Sequence, residues 1–148
     1  MRRDAGAAVT VGTALRLTYR AFARDLARRL QPHGVTLLMW FVLRELWKRD
    51  GLSQSEIATS TDRAASAIVS VVRALKDAGL ARVTRSTRDG RRSVVRLTAK
   101  GRRLEPVLTA HGRRLSQAAQ RDFSAAERRA LMGMLARLRR NIGRNGET

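Results

Sequence analysis

The sequence contains no cysteine, which excludes disulfides, thiol redox sensing and zinc held by thiolates. Its two histidines, His33 and His111, are too few for a histidine-only metal site. Apolar runs are short. The longest, Leu37 to Leu43, falls far below the roughly 18 residues of a membrane span. Aromatics are sparse and fall at Tyr19, Phe22, Trp40, Phe41, Trp47 and Phe123. Met1-Arg2-Arg3-Asp4 carries positive charge with no apolar stretch behind it, so no signal peptide is expected. The expectation is a soluble cytoplasmic chain with no cofactor.

Acidic residues are scarce too: 12 Asp+Glu stand against 31 Lys+Arg, a formal net charge of +19 with pI ≈ 12.0. Such a chain attracts polyanions, nucleic acid first among them. The plain alternative is a basic surface without a specific partner, or a coding bias towards arginine, since arginine outnumbers lysine 28 to 3. Placement carries more than the total. From Arg82 to Arg103 there are nine positive residues and one negative, Asp89. At 148 residues and 43% apolar content, one domain spanning 1–148 with a real core is expected.

A long helix is predicted from about Val9 to Leu30, because Val11, Leu15, Tyr19, Phe22, Leu26 and Leu30 recur at helical steps. Arg16, Arg20, Arg24 and Arg28 share another face. Pro32 and Gly34 end the helix. Thr36 caps the next, which runs to about Lys48 and is apolar on every side, as a central helix is. Ser53 and Glu56 form a capping box opening a short helix that ends near Thr61-Asp62. Arg63 to Ala78 is a second helix with Ile68, Val71, Val72 and Leu75 inward, and Gly79 stops it. Leu80–Thr87 and Ser93–Thr98 read as paired strands with Val83, Val95 and Leu97 facing in. Asp89-Gly90 marks the tight turn, where glycine tolerates positive φ. Ala99 to Gln120 is one helix, kinked if Pro106 lies past its first turn. A last helix begins at the capping box Ser124–Glu127 and carries Leu131, Met134, Leu135, Leu138 and Ile142. Helix, helix, basic hairpin is the layout of a winged helix-turn-helix. The fold class is mainly α with a small β-hairpin wing.

Several segments carry a resemblance. They are Gly34-Val35-Thr36, Trp40-Phe41-Val42-Leu43, Leu52-Ser53-Gln54-Ser55-Glu56-Ile57-Ala58, Ala78-Gly79-Leu80, Arg88-Asp89-Gly90-Arg91-Arg92 and Val95-Arg96-Leu97-Thr98-Ala99-Lys100-Gly101. In order and spacing the chain resembles the MarR family of bacterial transcription regulators over about residues 9–143. The family's wing signature, Asp-x-Arg followed by an apolar-x-Leu-Thr-x-x-Gly end, is matched by Asp89, Arg91, Leu97, Thr98 and Gly101. The resemblance implies an obligate homodimer. Segments 9–34 and 99–143 would be dimerisation helices, and 36–98 the winged helix-turn-helix that reads an inverted repeat. Leu15, Tyr19 and Phe22, with Leu131, Leu135 and Leu138, would form the dimer core. Two departures stand out. Thr61-Asp62 replaces the family's usual Leu-Gly, and Ala64-Ala65 occupies a place where a long polar side chain is usual. Sparse base readout, with more phosphate and shape recognition, is therefore expected.

Arg91 and Arg92 at the hairpin tip are the leading DNA contacts, with Arg88 beside them, because an arginine there can enter the minor groove. Asp89 is expected to pair with a neighbouring arginine and, with Gly90, to shape the tip. Ser53 and Gln54 sit at a helix N-terminus, where they either donate to phosphate or simply cap. Ser66 and Ser70 are candidates for base edges, and Arg63 and Arg73 for phosphates. The resemblance also implies a pocket for small aromatic acids between the dimerisation helices and the head. Arg16, Arg20, His33, Trp40 and His111 are its candidates, unless Trp40 is core and His33 a turn residue. The resulting expectation is a ligand-released repressor binding double-stranded DNA as a homodimer. A non-specific architectural DNA-binding protein is the rival. No paired carboxylates, nucleophile set or phosphate loop supports an enzyme.

Overall fold

The computed structural model describes residues 10–144. Helix α1 spans Val11–Leu30 and is capped by Thr10, whose hydroxyl accepts from the Thr13 amide at 3.2 Å. Val9, expected to begin it, and the tail 145–148 lie outside the described residues. A single 3-10 turn, Gln31–His33, follows, and Gly34 at φ 67° closes it in the left-handed region that favours glycine. Thr36 then caps α2, Leu37–Lys48. Five of its residues are buried, among them Val42, Leu43 and Leu46 with no exposed surface. Burying each such side chain contributes roughly 1.5–3 kcal/mol.

Helix α3, Gln54–Thr61, and helix α4, Ala65–Asp77, pack on α2, joined by a turn in which Asp62 adopts φ 51°, ψ 54°. Ile57, Ile68, Val71, Val72 and Leu75 enter the shared core. The second helix is shorter than expected: Arg63 lies before it, its amide donating to the Ala58 carbonyl at 3.0 Å. Strands β1, Ala81–Arg85, and β2, Ser93–Leu97, pair antiparallel with Ala81 opposite Leu97 and Arg85 opposite Ser93. Val95 and Leu97 are buried, as the alternation predicts; Val83 is half-buried, and Val94 is buried as well. Leu52 adds a bridge on the other side of β2, its carbonyl accepting from the Val95 amide at 2.7 Å.

The single helix expected from Ala99 is two helices. Thr98 caps α5, Ala99–Arg103, and α6 begins afresh at Glu105 and runs to Ala119. Pro106 is the cause. Its ring would collide with the carbonyl of Arg102 in a continuous helix, so the break falls at Leu104 and the proline sits in a first turn, where no amide is needed. Gly101 lies where a Cβ would come within 2.1 Å of the Leu80 carbonyl oxygen, so only glycine lets α5 lie against the start of β1. The last helix, α7, spans Ala125–Arg144 behind the Ser124–Glu127 box, whose two hydrogen bonds measure 2.7 and 3.2 Å. The described residues divide into two compact units, one ending at Arg113 and the other beginning at Arg114. The first holds the whole buried core given above. The second holds the end of α6 and α7, on which Leu131, Leu135 and Leu138 are each half-buried. No helix among the described residues is long and apolar enough to cross a membrane.

Candidate nucleic-acid interface

The N-terminus of α3 is built by a complete capping box. Ser53 Oγ accepts from the Glu56 amide at 3.2 Å, and Glu56 Oε2 accepts from the Ser53 amide at 2.8 Å. The Ser53 amide first, then the Ser53 hydroxyl, and more weakly the charges of Arg49 and Arg92, hold the Glu56 carboxyl below its usual range against the opposing effect of burial. Ser53 is buried at 6% exposure, and Arg92 donates to its hydroxyl at 3.2 Å. Of the two roles expected of Ser53, the geometry shows the cap: its hydroxyl accepts from the Glu56 amide and from Arg92. Gln54, the first residue of α3, is half-buried.

On α4 the exposed side carries Ala65, Ser66, Val69, Ser70 and Arg73. Ser66 is free to reach outward. Ser70 is less so, since its hydroxyl donates to the Ser66 carbonyl at 3.2 Å. Arg73 is exposed. Arg63, also exposed, has its guanidinium carbon 5.9 Å from the centroid of the Phe41 ring.

The wing is not the tight hairpin that Asp89-Gly90 predicts. The strands stop at Arg85 and Ser93, and residues 86–92 form a longer loop closed by the Ser86 amide donating to the Arg92 carbonyl at 2.7 Å. Gly90 is absent from the positive-φ residues. Asp89 shapes the tip differently from expectation. Its carboxylate accepts from the Arg91 amide at 3.0 Å and makes no ion pair, while its carbonyl accepts from the Arg92 amide at 3.0 Å. A short side chain bonding two residues ahead turns the chain without glycine's freedom. Arg85 donates to the Gly90 carbonyl at 3.0 Å and steadies the far side.

The two tip arginines then part company. Arg92 folds back to Ser53, with Glu56 at 3.8 Å, so it ties wing to α3. Arg91 and Arg88 are exposed and their side chains make no hydrogen bond or ion pair. Between wing and α3 lies a cavity of ≈ 410 Å³ whose lining includes Arg49, Arg88, Arg92 and Arg96. Asp50 fixes the wing's base. It accepts from the amides of Leu97 (2.9 Å) and Gly51 (3.0 Å) and from the Arg102 guanidinium (2.8 Å).

The expected pocket residues gather only in part. His33 and His111 meet, Nε2 to Nε2 at 3.3 Å. Trp40 is core at 3% exposure, edge-on to Trp47 with ring centroids 5.7 Å apart. Arg16 and Arg20 are exposed on α1, and at about 1.5 Å per residue Arg20 lies roughly 15 Å short of its C-terminal end. A different cavity, ≈ 550 Å³, opens at that end, lined by Ala27, Arg28, Gln31 and Gly34 to Leu37.

Residues 35–93, covering α2 through the wing loop, match the family model of the MarR family. Residues 35–93 are a MarR-family domain. A probable transcriptional regulator from Pseudomonas aeruginosa is 29% identical, with TM-score 0.78 over 87% of this chain and 96% of that one. MepR of S. aureus, solved as a DNA complex, is 20% identical with TM-score 0.80, covering 90% and 96%. BpsR of Bordetella bronchiseptica, whose DNA binding is regulated by 6-hydroxynicotinic acid, is 23% identical with TM-score 0.76, covering 86% and 97%. A comparison with curated protein sequences returns no match. Within this MarR-type winged helix, Asp62 takes the left-handed turn position where the family usually has glycine. Aspartate is among the few other residues that tolerate it.

Three residues that position the MarR wing escape sequence reading: Asp50, Arg85 and Arg96. Arg96 covers Gly51, where a Cβ would meet its guanidinium at 3.0 Å. Only the alternation of β2 hinted at this, by placing Arg96 opposite Val95 and Leu97.

Proposed function

We propose that this MarR-family transcriptional regulator works as a homodimer that binds an inverted repeat in double-stranded DNA and represses until a small aromatic acid releases it. The observation that carries the reading is the exposed, unpaired Arg88 and Arg91 on a wing beside an outward-facing α4. Arg91 would enter the minor groove and α4 the major groove. Ser66, Arg63, Arg73 and Gln54 are the further contacts, to base edge or phosphate. Arg92 and Ser53 hold the wing in place for them.

Exposed Val11, Leu15 and Tyr19 on α1, and Met132, Met134 and Ile142 on α7, support burial against a second copy. The ≈ 550 Å³ cavity is of the size that holds small ligands, and Arg28 on its wall supplies a cation for a carboxylate. The regulation named for BpsR favours an acid of this kind. Release then follows if the ligand binds better to a spacing of the two heads that DNA disfavours.

The charge of +19 and the alanines at 64, 65 and 67 favour one other reading, an architectural protein that coats DNA. Competition separates the two. Duplexes selected from a random pool by the full chain should displace bulk random DNA at far lower concentration than the reverse. Equal displacement would establish the architectural reading. Sedimentation at the working concentration should give twice the chain mass of 16.5 kDa.

A further inference from the structure

Helix α4 carries one large apolar side chain outside the core. Val69 is 49% exposed, while Ile68, Val71, Val72 and Leu75 on the same helix are buried. An exposed valine alone is unremarkable on a protein surface. Its company gives it meaning. Val69 sits one turn after Ser66 and one turn before Arg73, all three exposed. Ala64 and Ala65 at the helix start carry no hydrogen-bonding group on their side chains. The Ser70 hydroxyl already donates its hydrogen bond to the Ser66 carbonyl. The face α4 offers to DNA is therefore poor in donors and holds a branched hydrocarbon near its middle.

The base edges of a major groove present one apolar group, the 5-methyl of thymine. Nothing else there matches an isopropyl group. Charge brings the two together. Arg63 and Arg73 stand on either side of Val69 along the chain, and the wing adds Arg88 and Arg91, all exposed. Small neighbours let the helix backbone come close enough for contact.

We propose that Val69 is a specificity-determining residue that reads a thymine methyl in each half-site. The inference rests on the reading of α4 as the major-groove element, and it adds direct apolar readout to a helix otherwise short of base contacts.

The test removes the methyl from the DNA and from the protein separately. The full chain is first used to select duplexes from a random pool. Each thymine in the selected sequence is then replaced by deoxyuridine, which keeps every hydrogen bond and loses only the methyl. At one thymine per half-site the wild-type chain should lose about fourfold in affinity, the factor expected for roughly one buried methyl-sized group. Val69→Ala should bind the thymine and deoxyuridine duplexes alike. Val69→Thr, which keeps the shape and replaces one methyl by hydroxyl, should fall between. Arg73→Ala should weaken both duplexes and keep their ratio. A thermal melt verifies that the variants fold, as they should with a half-exposed side chain trimmed. Retention of the full thymine preference by Val69→Ala overturns the assignment, as does indifference of the wild-type chain to deoxyuridine at every position. If the pool yields no preferred sequence, the underlying reading of α4 fails first and Val69 falls with it.

Discussion

Asp50 lies outside every motif, yet its carboxylate joins three parts of the winged head. Consider Asp50→Ala. The Leu97 amide loses its only acceptor at 2.9 Å, and Leu97 is itself buried at 2% exposure. An orphaned buried amide costs about 1–3 kcal/mol. The Gly51 amide is not orphaned, because the Val95 carbonyl also accepts from it at 3.1 Å. The pair with Arg102 is exposed on the arginine side at 57% and contributes roughly 0–1 kcal/mol. The expected loss is therefore about 1–4 kcal/mol. Two controls divide it. Asp50→Asn keeps an acceptor for Leu97 and should lose about 1 kcal/mol or less, and Arg102→Ala should lose a similar amount. Urea denaturation with unchanged slope measures all three. Equal stability of the alanine and asparagine variants would show that the amide of Leu97 does not need Asp50.

Gly101→Ala should be far harsher, because the new Cβ meets backbone at 2.1 Å and the Gly101 carbonyl also accepts from Trp47 Nε1 at 3.1 Å. A loss of about 3 kcal/mol or more is expected in the same urea experiment, since packed interiors cannot yield to such overlap. For Glu56 the folded carboxyl titrates below its ordinary 4.5, mainly through the Ser53 amide and hydroxyl. The stabilisation is thus complete above that value and is lost as the pH falls through the lower folded one. The stability gap between wild type and Glu56→Gln should be widest at neutral pH and close below about pH 4.5; a gap that widens in acid contradicts the capping box as its source. Arg91→Ala should weaken binding to all duplexes alike and flatten the plot of log affinity against log salt by roughly one unit. An unchanged slope removes Arg91 from the phosphate contacts.

The parts of this fold legible in the sequence are those held by local contacts. Thr36, Ser53 and Ser124 cap helices whose bonded amides lie three residues on, so spacing alone reveals them. The buried stripe of α4 follows from helical period. The wing's arginines were legible as a cluster but not as individuals. Arg91 and Arg92 are adjacent, and only the packing of the loop against α3 turns one to solvent and the other to Ser53. Asp50 was silent because Leu97 and Arg102, the partners it joins across the head, stand 47 and 52 residues away. The hairpin turn misled for a local reason. Asp89 bends the chain with its own carboxylate, so Gly90 need not adopt positive φ. Val69 had a readable signal, an apolar residue off the buried stripe of its helix.

The central claim is that two winged heads, each gripping with Arg91 and reading with α4, are held at one spacing. A hydroxyl-radical footprint of the full chain on its selected duplex tests it most directly. The account predicts protection in two symmetric blocks about one helical turn, 10–10.5 base pairs, apart, centred on an inverted repeat. It also predicts that Arg91→Ala loses protection at the outer minor-groove positions first. Uniform protection along the duplex, or a single block with no dyad, would contradict it.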